Sequence, residues 1–166
     1  MSDAAGSGAT LHGAEIAALS AALAAADMRT ALLRVVDGIA AARMHVTVFS
    51  ASTCFHETTE LERIYSSRAD VYPLAVRKSK RETSWAQQVM RERRVFVGEG
   101  PLEMAAAFDD QERMASLGIR SIINVPVVVG DRCLGVLNFG RDVERVAPAD
   151  VQMGRLLGLV SVAAFT

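Results

Sequence analysis

The sequence predicts a single α+β domain of three layers (α/β/α), in which helices cover an antiparallel sheet from both sides. Three features carry this prediction: an Ala- and Leu-rich segment over residues 14–42, a β-hairpin over residues 120–139, and an amphipathic helix near Pro148. The hairpin is apolar on both faces, which is typical of strands inside a covered sheet. The 166 residues, 51% of them hydrophobic, match the size of one domain with its own core.

Composition and charge exclude several classes of protein. A total of 18 Lys and Arg against 19 Asp and Glu gives a net charge of −1, so no overall field attracts nucleic acid or anionic lipid. Residues 1–10 lack the basic and apolar blocks of a signal peptide, and we interpret residues 1–13 as a flexible arm before one domain over 14–166. The longest apolar stretch, 156–165, is about half of the roughly 20 residues that span a bilayer. We expect a cytoplasmic protein with neither nucleic-acid nor membrane partners.

Two helices are predicted over residues 14–42. Ile16, Leu19 and Leu23 recur at spacings of three and four in the first helix. Asp27 is a suitable N-cap for the second. The core face of the second helix carries Leu32, Leu33, Val36, Ile39 and Ala40.

Two strands and two loops follow. Residues 44–50 contain a β-branched run that predicts a strand, and residues 60–67 predict another, with a turn or loop over 51–59. Pro73 interrupts regular structure, and the basic residues 77–81 are too polar for a core, so we expect an exposed loop there.

A further helix is expected to begin at Ser84. Ser84 and Gln87 have the spacing of a capping box, in which a hydroxyl and a third-position Gln satisfy each other's backbone donors. Residues 94–98 then predict a short strand, closed by a turn at 99–101. The sequence therefore predicts a helix followed by a short strand in this region.

The same capping spacing recurs later in the chain. Asp109 and Glu112 predict a short helix whose Met114 and Leu117 face inward. Gly118 follows, and glycine commonly ends a helix because it adopts the left-handed conformation. The sequence therefore predicts a helix that ends at Gly118.

The clearest signal is the hairpin over residues 120–139. Two apolar runs meet at Gly130-Asp131, which suits a two-residue type II′ turn. If Val129 pairs with Arg132, counting by twos assigns the side chains to two faces. One face would carry Ile122, Asn124, Pro126, Val128, Cys133, Gly135, Leu137 and Phe139, and the other Ile123, Val125, Val127, Leu134, Val136 and Asn138.

The chain is expected to close with an amphipathic helix. Pro148 is well placed in a first helical turn, where its missing N–H is not needed. An apolar stripe then follows at helical spacing. It consists of Met153, Leu156, Leu157, Val160 and Ala164.

The order of these elements and a set of short motifs indicate a family. The motifs are Arg63-Ile-Tyr-Ser-Ser67, Tyr72-Pro73, Thr83-Ser-Trp85, Arg94-Val-Phe-Val-Gly98, Phe108-Asp-Asp110, Ser116-Leu-Gly118, Ser121-Ile-Ile-Asn-Val-Pro126 and Leu134-Gly-Val-Leu-Asn138. With them, the chain resembles a GAF domain from about residue 14 to its end. The resemblance implies an antiparallel sheet of five or six strands, with terminal helices on one face and a small-molecule pocket on the other. It also implies a homodimer formed through the terminal helices.

Absent motifs narrow the ligand class. The Asn-Lys-x-x-Phe-Asp-Glu pattern of many cyclic-nucleotide-binding members is missing, and neither cysteine lies in a bilin-attachment motif. Free methionine-(R)-sulfoxide reductases of this fold place a nucleophilic cysteine in the region that corresponds to residues 116–120, which contain no thiol here. The ligand therefore stays unidentified, and no cofactor is assigned.

Seven residues form the predicted ligand-binding set. Four aromatic residues either wall a pocket or pack in the core. A buried Asn needs a partner from backbone, water or ligand, and Arg113 faces either a ligand acid or solvent. Ser121 begins the strand motif that contains this Asn. The set is Tyr65, Tyr72, Trp85, Phe108, Arg113, Ser121 and Asn124.

Two other groups of residues have competing interpretations. The cations of 77–81 precede a predicted helix N-terminus, so they either hold a phosphate or carboxylate or form a solvated loop. Two cysteines, Cys54 and Cys133, suit a reducing cytosol, and Cys133 in a buried strand is expected to act as a small hydrophobe. Cys54 and His56, with His45 distant in sequence, fall short of a tetrahedral ligand set, so no metal is assigned.

The sequence favours one function over two alternatives. We expect a small-molecule-binding sensory and regulatory domain rather than an enzyme, because the motifs indicate a fold and no catalytic constellation stands out. One alternative is a small-metabolite enzyme that uses Cys54 or Cys133 in redox chemistry. The other is a structural dimerisation module.

Overall fold

A computed structural model describes residues 9–166. Its helices are α1 Gly13–Leu23, α2 Met28–Arg43, α3 Ser84–Ala86 with the π-helical turn Gln87–Arg91, α4 Gly100–Ala107, α5 Gln111–Ser116, α6 Pro148–Val160 and a 3-10 turn Val162–Phe165. Its strands are β1 Val46–Phe55, β2 Glu60–Ser66, β3 Arg77–Ser79, β4 Phe96–Glu99, β5 Ser121–Val129 and β6 Arg132–Arg141. Residues 1–8 of the predicted arm lie outside the described residues.

In the described part of the chain, six strands form one antiparallel sheet in the order β3-β2-β1-β6-β5-β4. The β5–β6 hairpin is interior, with β1 and β4 on its two sides. The predicted α+β fold class is therefore confirmed. Across residues 9–166 the longest helix is still too short and too polar to cross a membrane.

Strand β1 is longer than the sequence indicates. The loop predicted over 51–59 is wrong for its first half, because the strand continues to Phe55. Ala51 and Ser52 are buried and pair with both β2 and β6, so the small side chains lie in the middle of the sheet. Neighbouring strands on both sides outweigh the weak strand propensity of these residues.

The basic segment 77–81, predicted as a loop, contains the edge strand β3. Its three residues pair with β2, and Arg77 Nε lies 2.7 Å from Glu62 Oε2. Short, charged strands are common at sheet edges because they prevent pairing with other chains. A charge run alone does not reveal this role.

The hairpin register differs from the simple count. Val129 pairs with Arg132 and Val128 with Cys133, as expected, but Val127 pairs with Gly135. Leu134 is thus the extra residue of a β-bulge. The register beyond the bulge is shifted by one residue, so the predicted division of the two faces is wrong.

The shifted register places only apolar side chains on one face and both asparagines among the apolar residues of the other face. Ile123 and Val125 lie opposite Phe139 and Leu137, and all four pack in the core beneath the terminal helices. Asn124 lies opposite Asn138 on the other face. Both asparagines therefore face away from α1, α2 and α6, toward the short helices.

Three helix starts also differ from prediction. The N-cap of α3 is Thr83, whose hydroxyl accepts a hydrogen bond from the Ala86 amide at 3.1 Å, rather than Ser84. The predicted turn at 99–101 instead starts α4, because Pro101 suits a first turn and Ala-rich residues follow. Asp109 makes no cap, and its carboxylate binds Lys78.

Gly135 is required where the C-terminal 3-10 turn meets the sheet. A Cβ there would lie 2.1 Å from the Phe165 ring and 2.6 Å from the Ser52 carbonyl oxygen. We expect Gly135→Ala to lower the free energy of unfolding by about 1–3 kcal/mol through overpacking. Gly38→Ala is the control: it has open space in α2 and should raise stability by about 1 kcal/mol. Urea unfolding measures both, and equal midpoints would contradict this packing.

Candidate ligand-binding site

A cavity lies between the sheet and the layer of short helices, on the face opposite α1, α2 and α6. Its volume is about 100 Å³. About 10–15 Å³ is enough to admit one water, so the cavity has room for a small organic ligand. The lining residues are Val48, Ser50, Ser52, Leu61, Arg63, Tyr72, Val76, Lys78, Lys80, Trp85, Phe108, Asp110, Met114, Ile119, Ile122, Asn138 and Gly140.

The walls of the cavity are mostly apolar. Trp85 of α3 is 2% exposed and packs in one buried cluster with residues of the π-helical turn and of strands β2 and β6. Tyr72 and Met114 belong to a second buried cluster, and Phe108 contacts both clusters. Burial raises the pKa of the Tyr72 hydroxyl to about 12, so the phenol is neutral at physiological pH. An apolar ligand body therefore finds complementary surface here.

Lys80 supplies a buried cation to the cavity. The residue is only 7% exposed, and its Nζ lies 5.2 Å from the ring centre of Trp85 and 5.3 Å from that of Phe108. Within residues 9–166, no carboxylate lies within ion-pair distance of this ammonium. Burial, reinforced by neighbouring Lys78, lowers the Lys80 pKa. The two aromatic faces offer partial compensation through cation–π attraction.

Arg63 supplies a second, partly unsatisfied cation. Its Nη1 donates to the Pro73 carbonyl oxygen at 3.0 Å, and its guanidinium carbon lies 5.1 Å from the ring centre of Tyr72. The buried Nε of Arg63 has no hydrogen-bond partner among the described residues. Burial lowers the pKa of this guanidinium. An unpaired buried donor is rare and needs an explanation.

The remaining charges of the cavity lie toward its outer side. Lys78 Nζ lies 2.5 Å from Asp109 Oδ1 and 3.8 Å from Asp110 Oδ1. The Lys78 hydrogen bond lowers the pKa of Asp109, so that carboxylate is charged at neutral pH. Three cations (Arg63, Lys78 and Lys80) and one carboxylate (Asp110) line the cavity, and Asp109, outside the lining, offsets the charge of Lys78. The cavity is therefore electropositive.

A chain of side-chain hydrogen bonds connects the cavity wall to the sheet. Trp85 Nε1 donates to Asn124 Oδ1 at 2.9 Å, and Asn124 Nδ2 donates to Asn138 Oδ1 at 2.7 Å. Asn138 Nδ2 then donates to Ser50 Oγ at 3.2 Å. Asn124 is fully buried and both of its polar atoms are satisfied. The network fixes the indole plane against the sheet.

The structure brings together some of the predicted site residues. Tyr72, Trp85 and Phe108 line the cavity, and Asn124 lies directly behind Trp85. Arg113 is exposed on α5 and is not part of the lining. Three aromatic members of the predicted set thus share one cavity.

Two predicted residues lie on the opposite face of the sheet. Tyr65 packs against Phe49, and its hydroxyl donates to Asp37 on α2 at 2.9 Å. Ser121 is buried; its hydroxyl donates to the Val143 carbonyl oxygen and accepts from Arg141. Both side chains serve the interface with the terminal helices instead of the cavity.

Sequence reasoning did not select Arg63, and it considered Lys80 only as one of the cations of 77–81 that either hold a phosphate or carboxylate or form a solvated loop, although one signal was present. Lys78 and Lys80 are two residues apart at an edge strand, so they point to the same side and both line the cavity. Arg77 and Arg81 alternate to the outside, and Arg81 Nε donates to the Thr58 carbonyl oxygen. A period of two within 77–81 would have separated inward from outward cations.

The two cysteines lie close together, because Cys54 is near the end of β1 and Cys133 is near the start of the antiparallel neighbour β6. Cys54 Sγ lies 3.7 Å from Cys133 Sγ, and His56 Nε2 lies 2.7 Å from the Cys133 carbonyl oxygen. The hydrogen bond with Cys133, together with burial, raises the pKa of the Cys54 thiol. Among the residues described, no three His, Cys, Asp or Glu side chains cluster in a way that fits a metal ion.

Comparisons with solved structures agree with this architecture. The GAF domain of a Coxiella burnetii phosphoenolpyruvate-protein phosphotransferase superposes with a TM-score of 0.70 at 14% identity, over 91% of this chain and 90% of that chain. A GAF domain of a Bacillus halodurans two-component sensor histidine kinase gives 0.64 at 14% identity, over 80% and 90%. The phycoerythrobilin-bound GAF domain of a cyanobacterial phytochrome gives 0.63 at 12% identity, over 93% and 95%.

A family model of the GAF domain matches residues 17–163. No curated protein matches the sequence significantly. The family match spans the terminal helices, the whole sheet and the short helices that enclose the cavity. The chain therefore belongs to the GAF domain family.

Proposed function

We propose that this protein is a sensory and regulatory domain that binds a small molecule in the cavity between the sheet and α3–α5. GAF domains are sensory small-molecule-binding domains, which supports the general role. The observation that carries the proposal is the cavity itself, with aromatic walls and a few converging polar groups. Tyr72, Trp85 and Phe108 form the apolar contact surface in this proposal.

Recognition, rather than bond breaking, is the proposed chemistry. Strands β1, β5 and β6 contact the cavity through one face and the terminal helices through the other. A ligand that draws α5 and the segment around Lys80 toward the sheet favours one arrangement of these elements over others. The sheet then transmits that preference to α2 and α6, which pack directly on it.

Thermal unfolding against a metabolite panel tests the proposal. The panel contains small anionic, neutral and cationic metabolites. A compound at 100 times its Kd should add about 2.7 kcal/mol to the free energy of unfolding, which raises Tm by several degrees. If no member of any charge class raises Tm, the sensory proposal fails.

We also propose a homodimer formed through the terminal helices in the cytoplasm. Ile16 and Leu23 on α1 and Leu159 on α6 are 51%, 48% and 71% exposed, and apolar side chains at that exposure support contact with a second copy. The two unbridged thiols support a reducing compartment. Sedimentation of wild type and Leu159→Glu should give a dimer and a monomer, respectively. A wild-type monomer at all concentrations would exclude the dimer.

Thiol redox chemistry is the second candidate function, because Cys54 and Cys133 lie 3.7 Å apart. Thiol–disulfide exchange with a low-molecular-weight disulfide would join both sulfurs, with transfer of two electrons and two protons to give two small thiols. Mass spectrometry after such exposure should then show a loss of two hydrogens in wild type only, not in Cys54→Ser. Two free thiols after prolonged exposure would exclude this candidate.

A further inference from the structure

We infer that the cavity takes a small organic anion, whose carboxylate or similar oxyanion pairs with Lys80 and Arg63 while its apolar body lies against Trp85 and Phe108. The inference rests on the proposed function and names the ligand class for the same cavity. It draws on three independent features: an unpaired buried ammonium, an orphaned guanidinium donor, and the size and polarity of the enclosed space.

The ammonium of Lys80 lacks the anion that its burial requires. Charged groups are rarely buried unless paired, because removal from water costs several kcal/mol. The two other cations of the adjacent edge strand have carboxylate partners: Lys78 binds Asp109, and Arg77 binds Glu62. Lys80 alone among these three has none. A bound oxyanion supplies the missing charge.

The orphaned donor of Arg63 points to the same chemistry. Its Nε is fully buried, yet no acceptor of the described chain reaches it. A guanidinium pairs best with planar oxyanions through two parallel hydrogen bonds, and its Nη1 is already occupied by the Pro73 carbonyl oxygen. The free Nε therefore fits one oxygen of a carboxylate, and the Lys80 ammonium fits the other.

Size and polarity restrict the remainder of the ligand. The cavity volume of about 100 Å³ suits a small organic molecule. The apolar part of the lining includes Val48, Met114, Ile119 and Ile122, which pack in one buried cluster. The ligand thus combines one oxyanion with a compact apolar or aromatic body. Asp110, the one acidic lining residue, disfavours a second negative charge on the side where it lies.

Calorimetric titration with three ligands of one shape tests the charge requirement. Benzoate, benzamide and benzamidine share the ring and differ in charge: negative, neutral and positive. We expect benzoate to bind at least about tenfold more tightly than benzamide, since a hydrogen bond to a charged group contributes the equivalent of a 10- to 100-fold change in affinity. Benzamidine should not bind detectably.

Matched variants test whether the preference for an anion depends on Lys80. Lys80→Met keeps the unbranched side chain up to the position of Cε and removes the charge, so benzoate affinity should fall about 10- to 100-fold. Lys80→Arg should restore most of it. Arg81→Met removes the same charge one residue away on an exposed side chain, and its affinity should equal that of wild type. Equal benzoate affinities in all four proteins would overturn the inference.

The ligand series needs no variant, so it remains decisive if Lys80→Met does not fold. Equal binding of benzoate and benzamide by wild type would overturn the anion inference and leave the sensory proposal intact. Binding of phosphate or nitrate without benzoate would restrict the site to inorganic anions and overturn the organic part. If neither this series nor the wider panel binds, the proposed function itself fails.

Discussion

Replacing Arg141 with Met is expected to lower the free energy of unfolding by about 3–5 kcal/mol, because it removes one partner of a buried ion pair. Arg141 is 1% exposed, and its Nη2 lies 2.6 Å from Asp150 Oδ2. Its Nε donates to the Met44 carbonyl oxygen at 2.8 Å, and its Nη1 donates to Ser121 Oγ at 3.2 Å. One side chain thus joins the end of α2, strand β5 and the start of α6.

A matched control separates this network from charge removal as such. Arg145→Met breaks an ion pair with Glu99, but the Arg145 side chain is 86% exposed, so about 0–1 kcal/mol is expected. Urea unfolding of both variants gives the comparison directly. Equal losses in the two variants would show that the Arg141 network does not hold the helices to the sheet.

Replacing Asn124 with Leu is expected to have the second-largest effect. The apolar side chain of similar size leaves the Trp85 indole N–H and the Asn138 side-chain oxygen without partners. Each unpaired buried group costs about 1–3 kcal/mol. Both groups lie at the cavity, so the variant should also weaken ligand binding by releasing the indole ring. Urea unfolding and calorimetric titration measure the two consequences.

A double-mutant cycle isolates the hydrogen bond. Trp85→Phe removes the donor, and the double variant with Asn124→Leu no longer contains the unpaired indole N–H. The two losses should therefore be less than additive by about 0.5–3 kcal/mol. Strict additivity would mean that Trp85 and Asn124 do not support one another.

Local sequence signals predict much of this fold. Asp27 at the start of α2, the Gly130-Asp131 turn, Gly118 with a φ of 75° and Pro148 at the start of α6 each fix a boundary through backbone chemistry that acts within a few residues. Such effects need no knowledge of distant contacts. The layered α+β arrangement then follows from the two apolar faces of the hairpin.

The register of the sheet could not be predicted from such local signals. The bulge at Leu134 shifts the pairing of every later residue by one, and a one-residue shift moves each side chain to the other face. Gly135, the residue after the bulge, also lies under the ring of Phe165, 30 positions along the chain, and no local pattern reveals this contact. The extension of β1 and the edge strand β3 likewise depend on partners far away in sequence.

The site was predictable in its aromatic part alone. Tyr72, Trp85 and Phe108 were selected as apolar walls and do share the cavity, whereas Tyr65 was placed with them although its strand position turns it toward Asp37. Lys80 lies in a basic segment, and such segments are usually solvated. Its burial arises because Trp85 and Phe108 converge over it from other elements.

The central claim, that a small ligand binds against Trp85, is tested most directly by the indole N–H resonance of that residue. The chain contains a single Trp, so the NMR spectrum contains one indole N–H signal. This signal belongs to Trp85 in the cavity wall and needs no mutation for its assignment. Addition of benzoate should shift this resonance saturably in wild type, with a midpoint at least about tenfold higher in Lys80→Met. If calorimetry shows saturable binding of benzoate but the chemical shift of the indole N–H does not change, the ligand binds elsewhere and the central claim is wrong.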